Sequence, residues 1–558
     1  MISHFLSRPG QGFGFRIDVR TRIVAAVLLA TVTATAGALP AAVPQRASAT
    51  DSAPTVRQAR TTKGKAPQKS RTTKSKNVRT RRTASRPKAV VAALRHTTPR
   101  GESALAADLA ALIGARTVSG TWGVVVTSLS RGDTLYSLNA DASVLPASTL
   151  KLYTTALAFD RLGPYHQFTT EILRDGTVGS DGTLRGSIFL RGGGDPALSA
   201  RFVGGTPDAP MRALARLVAG AGVKHIAGDV VGDATAFDAK RIPDGWLDRY
   251  LGDSYAARVS ALSLNENLLR VAIAPSRSGQ APKVTLQPAT VAYDVVNAAK
   301  TSGTGRTSKL TVGRKPDGTI VVRGTIGARS ETRVYTVVVD DPAIFTAGAF
   351  REALESEGIT VGGKLRLGAT PVGAERVAAL NSPPLFSLAS VMNRESINHF
   401  AELIFRNAAR TMEPGGIGSA ERGSMLLSDF MTHKVGAQPY SVNAADGSGL
   451  SSLDRVTPRS LVQLLGYANR APWSREFHAS LPVAGESELL RRRMIGTPAK
   501  GNLHVKTGTT NDVVALGGYV TSRSGELLAF SFIYNGRDRW HARETIDAMG
   551  ATLAGWTR

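Results

Sequence analysis

Hydrophobic and polar positions divide the chain into three textures. Residues 104–113 read as a helix, and 122–129 and 134–138 alternate like two strands around the turn Arg131-Gly132-Asp133. A second helix is predicted over 147–162, with Pro146 near its start and Gly163 just past its end. Proline is tolerated where a helix has an unpaired N–H anyway, and glycine accepts the turn that ends one. From Gly163 to about residue 379 the pattern shortens. Strands are predicted at 186–190, 228–232, 268–273, 319–326 and 333–339 among Gly- and Asp-rich turns, with clear helices only at 211–220 and 343–357. No regular short repeat runs through this stretch. Helices return at 385–392, 398–411 and 458–471. Strands at 516–521 and 527–534, turned by Gly525, precede a last helix at 543–556.

Strands near both ends of the chain are expected to share one sheet. The fold class that follows is α/β (α+β): an antiparallel sheet flanked by helices, in a domain built from 102–163 and 380–558 and split by β-rich inserted domains over 164–379. At 558 residues and 42% hydrophobic content, the chain is long enough for two or three domains with cores of their own.

Charge changes the picture only at the N-terminus. Of the net +26, residues 51–100 hold +14 and residues 1–50 hold +4, which leaves +8 for the rest. Residues 50–101 are rich in Lys, Arg, Thr, Ser and Pro and nearly free of aromatic or branched side chains, a composition that predicts a disordered basic linker. Two readings of it stay open: a cationic tether to anionic wall polymer or a membrane surface, or a solvated spacer. It lacks the interleaved aromatics that stack on bases, so no nucleic-acid partner is expected. Before it, Arg8, Arg16, Arg20 and Arg22 precede an apolar run from Ile23, broken by Pro40 and Pro44 and followed by Ala47-Ser48-Ala49. This predicts a cleaved signal peptide over 1–49 and an exported protein, in the periplasm or at the cell wall. If the segment is not cleaved, the protein is membrane-associated. There is no cysteine, which excludes thiol catalysis and disulfides.

Three short motifs carry candidate chemistry. Ser148 and Lys151 stand three apart in a predicted helix and share a face. A serine hydroxyl needs a base to become a nucleophile, and a buried lysine can serve. Ser396-Ile397-Asn398 lies between two predicted helices, with Asn398 suited either to cap the second or to reach a cleft. Lys506-Thr507-Gly508 precedes a Gly-rich strand; Lys506 and Gly508 face one way and Thr507 the other. Lys506 can bind a carboxylate, Gly508 lets a substrate backbone approach, and Thr509 can offer its N–H to an oxyanion. Each motif alone is common, as a surface lysine or a bulge glycine. In this order they are the parts of an active-site serine acyltransferase. The nine histidines show no metal-ligand spacing, so neither a metal nor a cofactor is expected. No GxSxG surrounds Ser148, which disfavours Ser-His-Asp chemistry, and His399 and His504 read as packing or surface residues.

Over about residues 102–555 the chain resembles the class C low-molecular-mass penicillin-binding proteins, the D-alanyl-D-alanine carboxypeptidase/endopeptidase (penicillin-binding protein 4) family. Beside the three motifs, Leu190-Arg191-Gly192-Gly193-Gly194-Asp195-Pro196 looks like its LxGGGDP segment. Asp446-Gly447-Ser448-Gly449-Leu450-Ser451 matches its DGSGLS loop, and Leu481-Pro482-Val483-Ala484-Gly485 its LPVAG segment. The resemblance implies a penicilloyl-serine transferase domain interrupted after the SxxK helix, and 248 residues do separate Ser148 from Ser396. It implies Ser148 as the acylated nucleophile, Lys151 as its base, and Ser396 and Asn398 as proton relay and substrate grip. Lys506, Thr507, Gly508 and Thr509 would receive the terminal carboxylate and form part of the oxyanion hole. Ser448, Gly449 and Leu450 would line the pocket for the penultimate side chain. Peptidoglycan stem peptides are the implied substrates, and β-lactams the implied inhibitors. One departure is Ser452-Leu453, where many relatives place Arg or Lys, so the diaminopimelate end is expected to be read differently. A β-lactamase or esterase of the same serine chemistry, or a non-catalytic wall-binding scaffold, are the rival readings.

Overall fold

A five-stranded antiparallel sheet joins the two ends of the chain. In spatial order it runs Thr134–Leu138, Thr121–Ser128, Leu527–Asn535, Val513–Thr521, His504–Thr509. Val513–Thr521 and Leu527–Asn535 are almost wholly buried along their length, because helices cover both faces. Successive side chains point to opposite faces, so one strand feeds two cores. Val124 and Val126 pack with Phe530, Phe532 and Leu109 under the first and last helices, Glu102–Gly114 and Arg539–Gly555. Val125, Ala529 and Ile533 face the other way, onto Leu461 and Leu465 of Pro458–Arg470. The continuous apolar runs at the C-terminus are the signature of this double cover.

The computed structural model describes residues 94–116 and 119–558. The signal segment and nearly all of the basic linker lie outside those residues. The last part of the predicted linker departs from expectation: Leu94 packs on the core, Thr97 N–H donates to Thr552 Oγ1 at 3.0 Å, and Gly101 N–H donates to the Thr557 carbonyl at 2.8 Å. These contacts tie residues 94–101 to the terminal helix, so the ordered body begins before Glu102.

The stretch after the helix Leu150–Leu162 has a core of its own. Ile172, Leu190 and Val230 from a five-stranded mixed sheet pack with Leu214, Phe345 and Phe350 from the helices Ala209–Gly220 and Pro342–Ser356. Its first strand, Thr169–Arg174, pairs antiparallel with its last, Glu375–Asn381. Beyond that pair, Ser382 N–H donates to the Phe168 carbonyl and Leu385 N–H to the His166 carbonyl, both at 2.8 Å. The excursion therefore leaves and returns at one point. That closure is what lets residues 248 apart in sequence meet.

Three α-helices among the described residues were not anticipated, the shortest a single turn, Ala200–Val203. Ala420–Asp429, capped by Ser419, contains Gly423, which reads as a breaker. In the fold a Cβ there would lie 2.5 Å from the Phe405 ring, so glycine is required by packing. Ser474–Ser480 is short and follows Pro472-Trp473. The predicted helix over 147–162 is in fact a 3-10 turn, Ala147–Thr149, followed by an α-helix, Leu150–Leu162.

Candidate active site

The turn that carries Ser148 is pressed into shape from two sides. Ala147 is left-handed, with φ 47°, a conformation that costs a β-carbon-bearing residue on the order of 1–3 kcal/mol. Two glycines hold it. A Cβ on Gly449 would lie 1.9 Å from the Ala147 carbonyl oxygen, and one on Gly508 would lie 2.8 Å from that of Pro146. The DGSGLS loop and the KTG strand can thus approach the turn only as glycines. Inside the turn, Thr149 Oγ1 donates to the Pro146 carbonyl at 2.7 Å. Ser148 then heads a wall of the cavity described below.

Lys151 is fully buried. Its Nζ lies 3.1 Å from Ser148 Oγ, 2.7 Å from Asn398 Oδ1 and 2.7 Å from the Ser448 carbonyl. The last two can only accept, so they hold two of its N–H bonds. The remaining position faces Ser148 Oγ, with a proton when the amine is charged and a lone pair when it is neutral. Burial pulls its pKa down to about 8, against the opposing pull of Asp446, Glu402 and Asp454. An amine that titrates there and points a lone pair at a hydroxyl is a workable base.

Asn398 is not the cap of its helix. Ile397 holds the cap position, and Asn398 is the first helical residue of Asn398–Arg410. Its side chain is committed elsewhere: Oδ1 takes Lys151, and Nδ2 donates to the Tyr255 carbonyl at 2.9 Å. Ser396, in a left-handed turn at φ 61°, lies 2.9 Å through Oγ from Lys506 Nζ. Lys506 is also fully buried, which removes the reading of it as a surface lysine. Its other partner is the Thr507 carbonyl at 2.8 Å. Burial, then the charge of Lys151, hold its pKa well below the ordinary lysine value.

The DGSGLS loop is organised by one carboxylate. Asp446 is buried and accepts from Trp246 Nε1 (2.7 Å), from Ser448 Oγ (3.0 Å) and from the N–H groups of Ser448, Gly449, Leu450 and Ser451. Ser448 therefore departs from expectation. It does not line the pocket; its side chain and N–H serve Asp446 and its carbonyl serves Lys151. Beside it, Glu402 and Asp454 are buried carboxyls whose pKa values burial raises, Glu402 to about 8.

These groups converge on a cavity of about 340 Å³, lined by Ser148, Ser396, Asn398, Gly449, Leu450 and Thr509. Thr507 is half-buried in the KTG strand, and Thr509 Oγ1 donates to the Gly508 carbonyl. The remaining wall is Tyr250, Tyr255, Thr510, Asn511 and Arg539, none of which sequence reading singled out. The two tyrosines come from the inserted stretch, stack edge-to-face at 5.7 Å, and ride on bonds such as Ser451 Oγ to the Asp244 carbonyl at 2.6 Å. A signal was present: Trp246, Tyr250 and Tyr255 fall within ten residues of a chain that is 6% aromatic. Ser452 gives its N–H and Oγ to the Gly245 carbonyl, and Arg455 folds back on the carbonyls of Ser452 and Asp454. No free cation of that loop reaches the cavity. His399 packs in the interior, 3.0 Å from Asn267 Nδ2.

Residues 105–555 match the model of the D-Ala-D-Ala carboxypeptidase 3 (S13) family. The chain belongs to that family. Among S13-like relatives, it is 35% identical to the D-alanyl-D-alanine carboxypeptidase of Actinomadura sp. (strain R39), over 77% of this chain and 81% of that one. Its fold is that of the crystal structure of penicillin binding protein 4 (dacB) from Haemophilus influenzae, with a TM-score of 0.67 at 23% identity, over 80% of this chain and 98% of that one. The same H. influenzae protein complexed with a novel β-lactam aligns with a TM-score of 0.63. This is the penicilloyl-serine transferase-like mixed fold, and S13 membership makes the chain a serine hydrolase of the peptidase type.

Proposed function

We propose that the chain is an exported serine DD-carboxypeptidase of peptidoglycan that also acts as a DD-endopeptidase. The observation that carries this reading is that Ser148, Ser396 and Asn398 line one cavity, with Lys151 and Lys506 buried behind them and hydrogen-bonded to them, in a member of the S13 family. Neutral Lys151 takes the Ser148 proton as Oγ attacks the carbonyl carbon of a D-Ala-D-Xaa bond. The backbone N–H groups of Ser148 and Thr509 receive the oxyanion. The C–N bond breaks, Ser396 relays a proton to the leaving amine, and an acyl ester remains on Ser148. Water then hydrolyses the ester. Lys506 binds the free carboxylate of the terminal residue, helped by Thr507 and Thr509, and Asn398 holds the substrate amide by exchanging its Nδ2 bond to the Tyr255 carbonyl for one to the substrate. β-Lactams enter the same path as substrate mimics. Gly449 and Leu450, facing Tyr250 and Tyr255, border the space for the penultimate side chain. The basic N-terminal pattern supports export, and a tether to anionic wall polymer or membrane is one use of the linker.

Mass spectrometry of penicillin-treated protein tests the reading. A long-lived adduct on Ser148, together with release of D-Ala from a muropeptide that Ser148→Ala abolishes, is the expected result. No adduct with any β-lactam sinks it, and turnover of the adduct within seconds points instead to a β-lactamase.

A further inference from the structure

A second cavity, of about 430 Å³, is larger than the one over Ser148 and shares no lining residue with it. It lies where the inserted stretch meets the end of the helix Asn398–Arg410. Its walls are stitched together. Asn407 Nδ2 donates to the Gly194 carbonyl at 2.9 Å, and Gly418 N–H donates to the Ala236 carbonyl at 2.9 Å. The GGGDP segment, which the acyl-transfer chemistry leaves unused, forms part of the wall through Gly192 and Gly193. Those glycines allow close backbone approach: a Cβ on Gly193 would lie 2.3 Å from the Thr169 carbonyl oxygen.

Two arginines line this space, Arg191 and Arg410, together with one carboxylate, Glu171. Arg191 is paired with Glu171 at 2.6 Å, but Glu171 also has Arg376 at 3.7 Å. One carboxylate thus serves two cations. Arg410 has no carboxylate among the described residues; its partners are the Gly416 carbonyl and Asn407 Oδ1, both at 3.3 Å. It is half-buried, and burial together with the charge of Arg191 lowers its pKa. A last-turn arginine is favourable at a helix C-terminus. That accounts for Arg410 alone, but not for a second arginine placed near it across a polar cavity. Like charges gathered with too few acids are relieved by an anion from outside. Gln167, Thr169 and Thr235 add neutral hydrogen-bonding groups of the kind that suit hydroxyls and amides.

We propose that the Arg191–Arg410 cavity is a second binding site, for an oxyanion borne on a cell-wall polymer. The oxyanion follows from the cavity itself; its wall source rests on the peptidase reading above. A carboxylate of a neighbouring stem peptide and a phosphodiester of a wall polymer share this chemistry. Held there, the polymer would be retained while its ends are trimmed at Ser148.

Calorimetric titration of the full chain, pre-treated with penicillin to block Ser148, tests this with two probes: an uncross-linked disaccharide pentapeptide and an oligo(glycerol phosphate). Binding of either supports the site and names the source. Arg410→Gln is expected to weaken binding at least tenfold, and Arg410→Lys to stay within about threefold of wild type. Binding should also weaken as salt rises, since the contact is ionic. Binding of neither probe, equal loss in the Lys and Gln variants, or affinity indifferent to salt would overturn it. The salt titration needs no variant, so it stands even if Arg410→Gln does not fold. The two readings fail separately. Absent acylation with Arg410-dependent phosphate binding sinks the peptidase reading alone, and normal acylation with binding unchanged in Arg410→Gln sinks this one alone.

Discussion

On the Leu150–Leu162 side of the cleft, Lys151 is wholly buried beside a serine hydroxyl, with Asp446, Glu402 and Asp454 close enough to act on its charge. On the KTG-strand side, Lys506 is just as buried and also faces a serine, but the charge that acts on it is that of Lys151. Burying an ammonium ion costs several kcal/mol unless something compensates. Lys151 is compensated in part by acids within the protein, which oppose the fall of its pKa to about 8. Lys506 is not, and an incoming carboxylate is what would restore its charge. On the proposed reading, one lysine exchanges a proton and the other waits for an anion.

The largest effect is expected from Lys151→Met, which keeps the volume and removes the base. Acylation by penicillin should fall by at least about a thousandfold, the combined loss of general-base catalysis and of the Ser148 hydrogen bond. Stopped-flow acylation kinetics, with circular dichroism to confirm folding, would check it. A loss of less than tenfold would mean that Lys151 is not the base, and the contrast between the two lysines would collapse.

Lys506→Met tests the other side. A charge-assisted hydrogen bond to a carboxylate contributes about 1.5–3 kcal/mol, so the second-order acylation rate with penicillin should drop roughly ten- to a hundredfold. The decisive comparison is with penicillin methyl ester, which has no carboxylate. The wild type should prefer the free acid, and the variant should treat the two alike. If the preference survives in the variant, some other group receives the carboxylate, with Arg539 on the cavity rim the first to examine.

The contrast was only half legible in the sequence. Ser148 with Lys151, and Lys506 with Gly508, are local spacings, and local geometry converts them directly into a shared face or a strand side. The company each lysine keeps is not local. Glu402 is 251 positions from Lys151 and Asp446 is 295, and nothing in their own neighbourhoods says that they are buried together. Ser448 shows the same limit. Its motif placed it at the site, but only the fold reveals that it faces Asp446 and turns its carbonyl to Lys151. The tyrosine wall came from the inserted stretch, whose path over the cleft depends on contacts such as Trp246 to Asp446. Four strands of the five-stranded sheet, by contrast, were readable from their alternation and apolar runs, whereas His504–Thr509 was read only as an extended segment. The helix containing Gly423 was not, because the glycine answers to Phe405 rather than to its own helix.

The smallest and most discriminating test is Glu402→Gln. Gln keeps the oxygen that accepts the Gly447 N–H at 3.1 Å, so the loop remains anchored. It removes a carboxyl that titrates at about 8, the range in which Lys151 also titrates. As pH rises, wild-type Glu402 becomes an anion, and that charge favours the protonated form of Lys151. Since acylation needs the neutral amine, its rate climbs as pH passes through the Lys151 titration. Without Glu402 the amine loses its proton more readily, and the climb should begin at lower pH, by up to about one unit. The same substitution should leave the free-acid preference set by Lys506 unchanged, because Glu402 does not act on that lysine. A profile that does not move, or a lost carboxylate preference, would show that the acids behind Lys151 do not distinguish the two sides of the cleft.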